Sequence, residues 1–263
     1  MSAKQPETSS RDIYRHALEV LNGARVPYLV GGAFAFHRYS GISRLTKDFD
    51  LFLKKDDFST AATTLREGGF HTERTYSHWL GKAFIGDEFV DLIFGGGNGE
   101  ARVDDLWFRH ASDDVLFGEP VKVAPPEEII WSKAFVMERE RFDGADVAHL
   151  FLACAHELDW RRLIDRFDEH WRVLYAQLVL FGFIYPSEQS RIPRWVMDEL
   201  TGRLQREISV NARAERICRG TLLSRAQYLV DVDERGFLDG RLTPFGSMSA
   251  EEIERWTAAI EET

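Results

Sequence analysis

Three aspartates set inside otherwise apolar stretches constrain this chain more than any other feature of it. Asp48 and Asp50 open the run Asp48-Phe-Asp50-Leu-Phe-Leu53, and Asp91 sits within Glu88-Phe-Val-Asp91-Leu-Ile-Phe94. Runs of this length and composition read as strands. Residues two apart on a strand share a face, so Asp48 and Asp50 project together, about 7 Å apart along it. A buried carboxylate is costly unless a cation or donors compensate it, and three on neighbouring strands repel one another. A divalent metal removes the conflict. Hard cations such as Mg²⁺ or Mn²⁺ prefer carboxylate oxygen, and metals held by such acids stabilise the attacking and leaving oxygens of a phosphoryl displacement. The competing reading puts one or more of these acids at a solvent-facing strand end.

The residues before the first acidic strand fit the same chemistry. Val26-Pro-Tyr-Leu-Val30 reads as a short strand that ends in Gly31-Gly32 and continues into a helix. Glycines at a strand-to-helix turn let backbone amides approach a ligand, and the new helix offers its positive end to an anion. A tight turn without a ligand is the alternative. Ser43-Arg44-Leu-Thr46-Lys47 then brings two cations and two hydroxyls up to the acidic strand. Arg offers a bidentate fork and Lys a point charge to triphosphate oxygens, and a solvated loop is again the alternative.

Gly31-Gly32, Asp48-Phe-Asp50 and Asp91 together resemble the nucleotidyltransferase superfamily related to DNA polymerase beta. Arg44-Leu-Thr-Lys-Asp-Phe-Asp50 looks most like the small prokaryotic abortive-infection-type enzymes. The resemblance covers about residues 26 to 150 and implies an α+β fold, a nucleotidyltransferase-type mixed sheet flanked by helices and followed by a mostly helical C-terminal region. It implies transfer of an NMP from an NTP, such as ATP, to a hydroxyl with loss of pyrophosphate, and it makes Asp91 the general base or a ligand of the metal that activates the acceptor. Asp48, Asp50 and Asp91 are then the catalytic and metal-binding set, and Gly31, Gly32, Arg44, Thr46, Lys47 and Lys133 the nucleotide-binding one. The acceptor is left open among an RNA end such as tRNA, a protein and a small molecule. A cognate antitoxin is the partner such a toxin-like enzyme implies. The alternative is a non-catalytic nucleotide-binding or protein-interaction module that keeps the fold.

The rest of the chain places these elements. Residues 11 to 25 form an amphipathic helix with Ile13, Ala17, Val20 and Leu21 on one face, and residues 56 to 69 form a second covering helix. Phe70 to Tyr76 and Leu80 to Ile85 read as strands leading into the Asp91 strand. Gly95-Gly-Gly-Asn-Gly99 has no Lys-Ser/Thr after it and reads as a flexible turn. Residues 11–124 are assigned to the core and 125–263 to the helical region. Glu127 to Arg141 begins with acids after proline and ends with cations, which predicts one helix, with Lys133 on its polar face and Asp143 and Asp146 just beyond. From Val147 to Phe183 the pattern is consecutive helices, whose Trp160, Phe167, Trp171 and Tyr175 fit a core better than a base-stacking platform. His149, His156 and His170 have no metal-ligand spacing.

Composition narrows the class. With 263 residues, 44% of them hydrophobic, the chain can bury a sizeable core. No apolar run approaches the roughly 18 to 20 residues that span a bilayer, and the start lacks a signal-peptide core, so a cytoplasmic protein with a frayed N-terminus and no membrane partner is expected. Cys154 and Cys218 have no zinc spacing and are expected as buried thiols. A net charge of −10 disfavours broad nucleic-acid binding. Against it, residues 200 to 225 hold six arginines and two glutamates, a local excess that suits an acidic acceptor or a solvated face.

Overall fold

The computed structural model describes residues 10–43, 48–209 and 215–258. Arg44, Thr46 and Lys47 lie outside the described residues, as do the polar start at 1–9, Arg213 and Ile260. The fold is α+β: a seven-stranded mixed sheet with helices against it, followed by a mostly helical region. The chain forms two compact units, one of residues 1–35, 43–95 and 102–125, the other of residues 36–42, 96–101 and 126–263.

The first unit contains α1 (Ser10–Gly23), β1 (Leu29–Val30), the first turn of α2 (Gly32–Ser40), β2 (Asp50–Phe52), α3 (Phe58–Glu67), β3 (His71–Tyr76), β4 (Leu80–Ile85), β5 (Glu88–Ile93), α4 (Asp105–Arg109), β6 (Ser112–Leu116) and β7 (Glu119–Val123). The strand order is β3-β4-β5-β2-β1-β7-β6. β2 runs parallel to β5 and antiparallel to β1, so the two acidic strands are neighbours. Alternation then sorts the sheet. Phe49, Leu51, Leu53, Val90 and Leu92 are buried at 0–1% exposure. Tyr14 of α1 stacks on Phe49 at 4.7 Å, and Phe58 of α3 fills the space over Gly81, where a Cβ would meet its ring at 2.2 Å. Residues of the other parity, among them Asp50, Phe52, Lys82 and Asp91, share the opposite face. There Phe52 stacks on Trp107 of α4, 5.0 Å between centroids. Between β5 and β6 the chain forms α4, whose N-terminal Asp104 caps the amide of Leu106 at 2.9 Å.

The second unit carries α5 (Pro126–Ala134), α6 (Gly144–Cys154), α7 (Trp160–Phe167), α8 (Trp171–Ile184), α9 (Arg194–Ser209), β8 (Ile217–Cys218), α10 (Leu229–Asp233), β9 (Leu238–Asp239) and α11 (Ala250–Ala258). Trp160, Phe167 and Trp171 are core residues, 1–6% exposed. Cys154 and Cys218 are free thiols, and burial pushes the Cys154 thiol up to about 12. Ser249 and Glu252 cap α11 reciprocally, amide to side chain, at 2.9 and 3.2 Å.

Two expectations are corrected in this unit. The helix expected through Arg141 stops at Ala134, because residues 137 to 142 turn into a small hairpin: Met137 bridges Phe142, and the Glu138 amide donates to Arg141 O at 2.8 Å. Glu138 in turn accepts from Ser224 Oγ and the Arg225 amide. The glycine run at 95 to 99 is a packed turn. A Cβ at Gly97 would stand 2.5 Å from the Trp256 ring and one at Gly99 2.7 Å from Met248, while Ser247 Oγ donates to Gly99 O at 2.6 Å. Its glycines serve close packing.

Candidate active site

The site begins with register. In the parallel pair β2–β5, Asp50 is opposite Asp91, and in the antiparallel pair β4–β5, Asp91 is opposite Lys82. Lys82 is itself opposite Glu73 of β3. The cross-strand row Glu73, Lys82, Asp91, Asp50 therefore lies on one face of the sheet. It is fixed by the Gly86-Asp87 turn, which pairs Ile85 with Glu88 and so sets Lys82 against Asp91. Asp48, expected to open the strand, lies two residues before β2 and is exposed.

The diglycine is shaped by this row. Gly31 donates its amide to Asp50 O at 2.9 Å. A Cβ on Gly31 would stand 2.1 Å from the Phe52 ring, and one on Gly32 would stand 1.6 Å from Asp50 Oδ2. Gly32 also has φ of +52°, a conformation that side chains disfavour. Both glycines are thus required by the alternating side chains of β2, and the start of α2 lies directly against the Asp50 carboxylate.

Lys82 is the site residue that the sequence reading missed. Its Nζ stands 3.0 Å from Asp91 Oδ1, with side chains 23% and 13% exposed. The contact is a close ion pair, and the ammonium offsets part of the cost of burying the Asp91 carboxylate. The same ammonium lies 3.8 Å from the centroid of the Phe89 ring. Burial raises the Asp91 carboxyl above its ordinary value; Lys82 pulls it down, and Asp48 pushes it up again. The Tyr14 phenol is also raised, first by burial and then by the charges of Glu88, Asp48, Asp50 and Asp91.

The donor set suits a hard cation: three carboxylates, two of them directly opposed across neighbouring strands and the third two residues away on the same strand parity. Among the described residues, however, no group of three or more His, Cys, Asp or Glu side chains is gathered tightly enough to hold a metal ion. Asp91 is engaged by Lys82, while Asp48 is exposed beside residues 44–47.

Lys133 has another set of partners. Its Nζ stands 2.9 Å from Asp143 Oδ2 and 2.8 Å from Asp146 Oδ2, while Arg141 grips Asp143 through Nε and Nη2 at 3.0 and 2.9 Å. Burial pushes the Asp143 carboxyl up, but Arg141 and Lys133 together hold it below its ordinary value. Three of the six arginines at 200 to 225 are likewise met by acids: Arg203 pairs with Glu199, Arg219 with Glu169 and Arg225 with Glu138.

No family model and no curated protein matches the sequence. Solved structures do. The chain is similar to ANT(2'')-Ia in complex with adenylyl-2''-tobramycin, at 19% identity and a TM-score of 0.44 over 64% of this chain and 100% of that one. It is similar to an antigenic nucleotidyltransferase-like protein from Paracoccidioides brasiliensis, at 16% identity and a TM-score of 0.45 over 69% and 91%. It is also similar to the lincosamide antibiotic adenylyltransferase LnuA, at 14% identity and a TM-score of 0.38 over 54% and 96%. The likeness is partial. The chemistry of this chain rests on its own residues.

Proposed function

We propose that the chain is a metal-dependent nucleotidyltransferase that moves an NMP from an NTP to a hydroxyl acceptor. The observation that carries this reading is the pairing of Asp50 with Asp91 on adjacent parallel strands, with Gly31-Gly32 folded against Asp50. Asp48 and Asp50 would hold a divalent cation, which when bound supplies positive charge to the triphosphate oxygens. The backbone at Gly31 and Gly32 lies where phosphate would meet the start of α2. The acceptor oxygen forms a bond to the α-phosphorus, the bond to the pyrophosphate oxygen breaks, and the hydroxyl proton passes to Asp91, which faces the same side of the sheet. Orientation and electrostatics supply most of the acceleration in such a reaction. Arg44, Thr46 and Lys47 immediately precede Asp48 and extend the same reading to the triphosphate. The abortive-infection resemblance, with ATP as donor, a cytoplasmic setting and a cognate antitoxin, belongs to this proposal too.

Among acceptors, a protein hydroxyl, a small molecule or the end of an RNA such as tRNA agrees better with a net charge of −10 than long nucleic acid does. The paired arginines of 200 to 225 point the same way. The test is transfer of labelled NMP from each NTP to a cell extract. Asp48→Ala combined with Asp50→Ala should abolish it while circular dichroism stays that of the parent, and transfer that persists in this variant rejects the mechanism. A nucleotide-binding module without turnover is the second reading, favoured by the Lys82 ammonium that already engages Asp91. Nucleotide binding with no pyrophosphate release under any acceptor would select it.

A further inference from the structure

The Lys82–Asp91 pair bears on how many metal ions the site takes, a question that rests on the reading above. Several observations show that Lys82 is held at Asp91. Strand register sets the two residues opposite one another. The Nζ-to-Oδ1 distance is 3.0 Å, with the two side chains 23% and 13% exposed. The Phe89 ring, two residues before Asp91 and on the same face, supports the ammonium at 3.8 Å, where the ring quadrupole attracts it. A charge pair partly withdrawn from water is costly to separate, because the Asp91 carboxylate left alone stays largely shielded and uncompensated. A metal ion entering on the Asp91 side would have to drive the ammonium from both the carboxylate and the ring. Asp48 is exposed, and the three acids do not form one gathered cluster among the described residues.

We infer that Lys82 takes the place of a second metal ion: the chain binds one divalent cation, at Asp48 and Asp50, and the Lys82 ammonium supplies the positive charge at Asp91. Two-metal sites place cations about 3.5 to 4 Å apart so that attacking and leaving oxygens are both neutralised. Here the leaving side is served by the metal and the attacking side by a covalently tethered cation. Lys82 is then a positioning residue that acts through Asp91. A lysine is a compact point charge with three donors, suited to this place where an arginine fork would reach differently.

The test counts metal ions, apart from activity. Mn²⁺ alone is titrated into the full chain and free Mn²⁺ is read by electron paramagnetic resonance. The parent and Lys82→Arg should each bind one ion per chain, Lys82→Met should bind a second, and Asp48→Ala with Asp50→Ala should bind none in an otherwise parental site. Lys82→Gln, which keeps a polar stem, replaces Lys82→Met if the latter does not fold. Two ions in the parent, or one ion in the neutral variants as in the parent, overturns the inference and leaves the transferase reading standing. No Mn²⁺ bound by the parent overturns both.

Discussion

Each unit contains a half-buried lysine beside carboxylates, and the two arrangements behave in opposite ways. In the second unit Asp143 is met by two cations, Lys133 and Arg141, and Asp146 shares Lys133. Burial works against the Asp143 charge, yet the cations prevail and the carboxyl stays below its ordinary value. In the first unit Asp91 has Lys82 close by and Asp48 near enough to repel it, so burial prevails and the carboxyl lies above its ordinary value. Similar residue types thus yield a carboxyl held below its ordinary value in one place and one held above it in the other. The first pattern belongs to a fold being held together. The second is the kind of unbalanced electrostatics that concentrates at functional sites, which agrees with the role proposed for Asp91.

Substitutions can break this contrast. The largest effect should come from Asp91→Asn, which keeps the shape but removes the proton acceptor. Transfer should fall on the order of 10² to 10⁴-fold, while NTP binding measured by calorimetry is kept. A variant that transfers normally would put Asp91 outside the chemistry. Next, Lys133→Met should lower unfolding stability in urea by about 3 to 5 kcal/mol, because it leaves Asp143 and Asp146 buried with less compensation. Should NTP affinity fall instead, with stability unchanged, Lys133 would return to the phosphate-binding role that its place in the sequence suggests.

The smallest effect is on pH dependence. The Asp143 carboxyl is lower in the folded chain than the ordinary value of about 3.9 expected unfolded. Its contribution to stability is therefore complete above that ordinary value and is lost as pH falls through the lowered folded one. Urea midpoints measured from pH 6 to pH 3 should drop more steeply in the parent than in Asp143→Asn. Parallel profiles would show that the cluster does not bias ionisation.

Much of the candidate site was legible because it depends on short-range rules. Apolar flanks marked the strands of Asp50 and Asp91, which pair side by side, whereas Asp48, expected on the same strand, lies before it. Lys82 follows from the same rule, because the Gly86-Asp87 turn between two apolar strands fixes which residue faces Asp91. Other features depended on distant partners. The acids Glu127 and Glu128 look like helix-start residues favoured by the dipole, but they are 3% and 0% exposed and are gripped by Arg162 and Arg166. Nothing local to α5 announces those arginines, more than 30 residues downstream. The early end of α5 has the same origin, since helix propensity continues through Arg141 while Leu223 and Ser224 draw the chain into a hairpin. The glycine run at 95 to 99 carried a turn signal, and its packing against Trp256 and Met248 could be known only once α11 and the segment before it were placed.

Pyrophosphate release reads out the nucleotidyl transfer proposed for the carboxylates of the first unit. With each NTP in turn, Mg²⁺ and a cell extract as acceptor, the parent chain should release pyrophosphate in step with the label it incorporates, and Asp48→Ala combined with Asp50→Ala should release none while melting like the parent. Equal release from the parent and the double variant, or incorporation without pyrophosphate, would contradict the account.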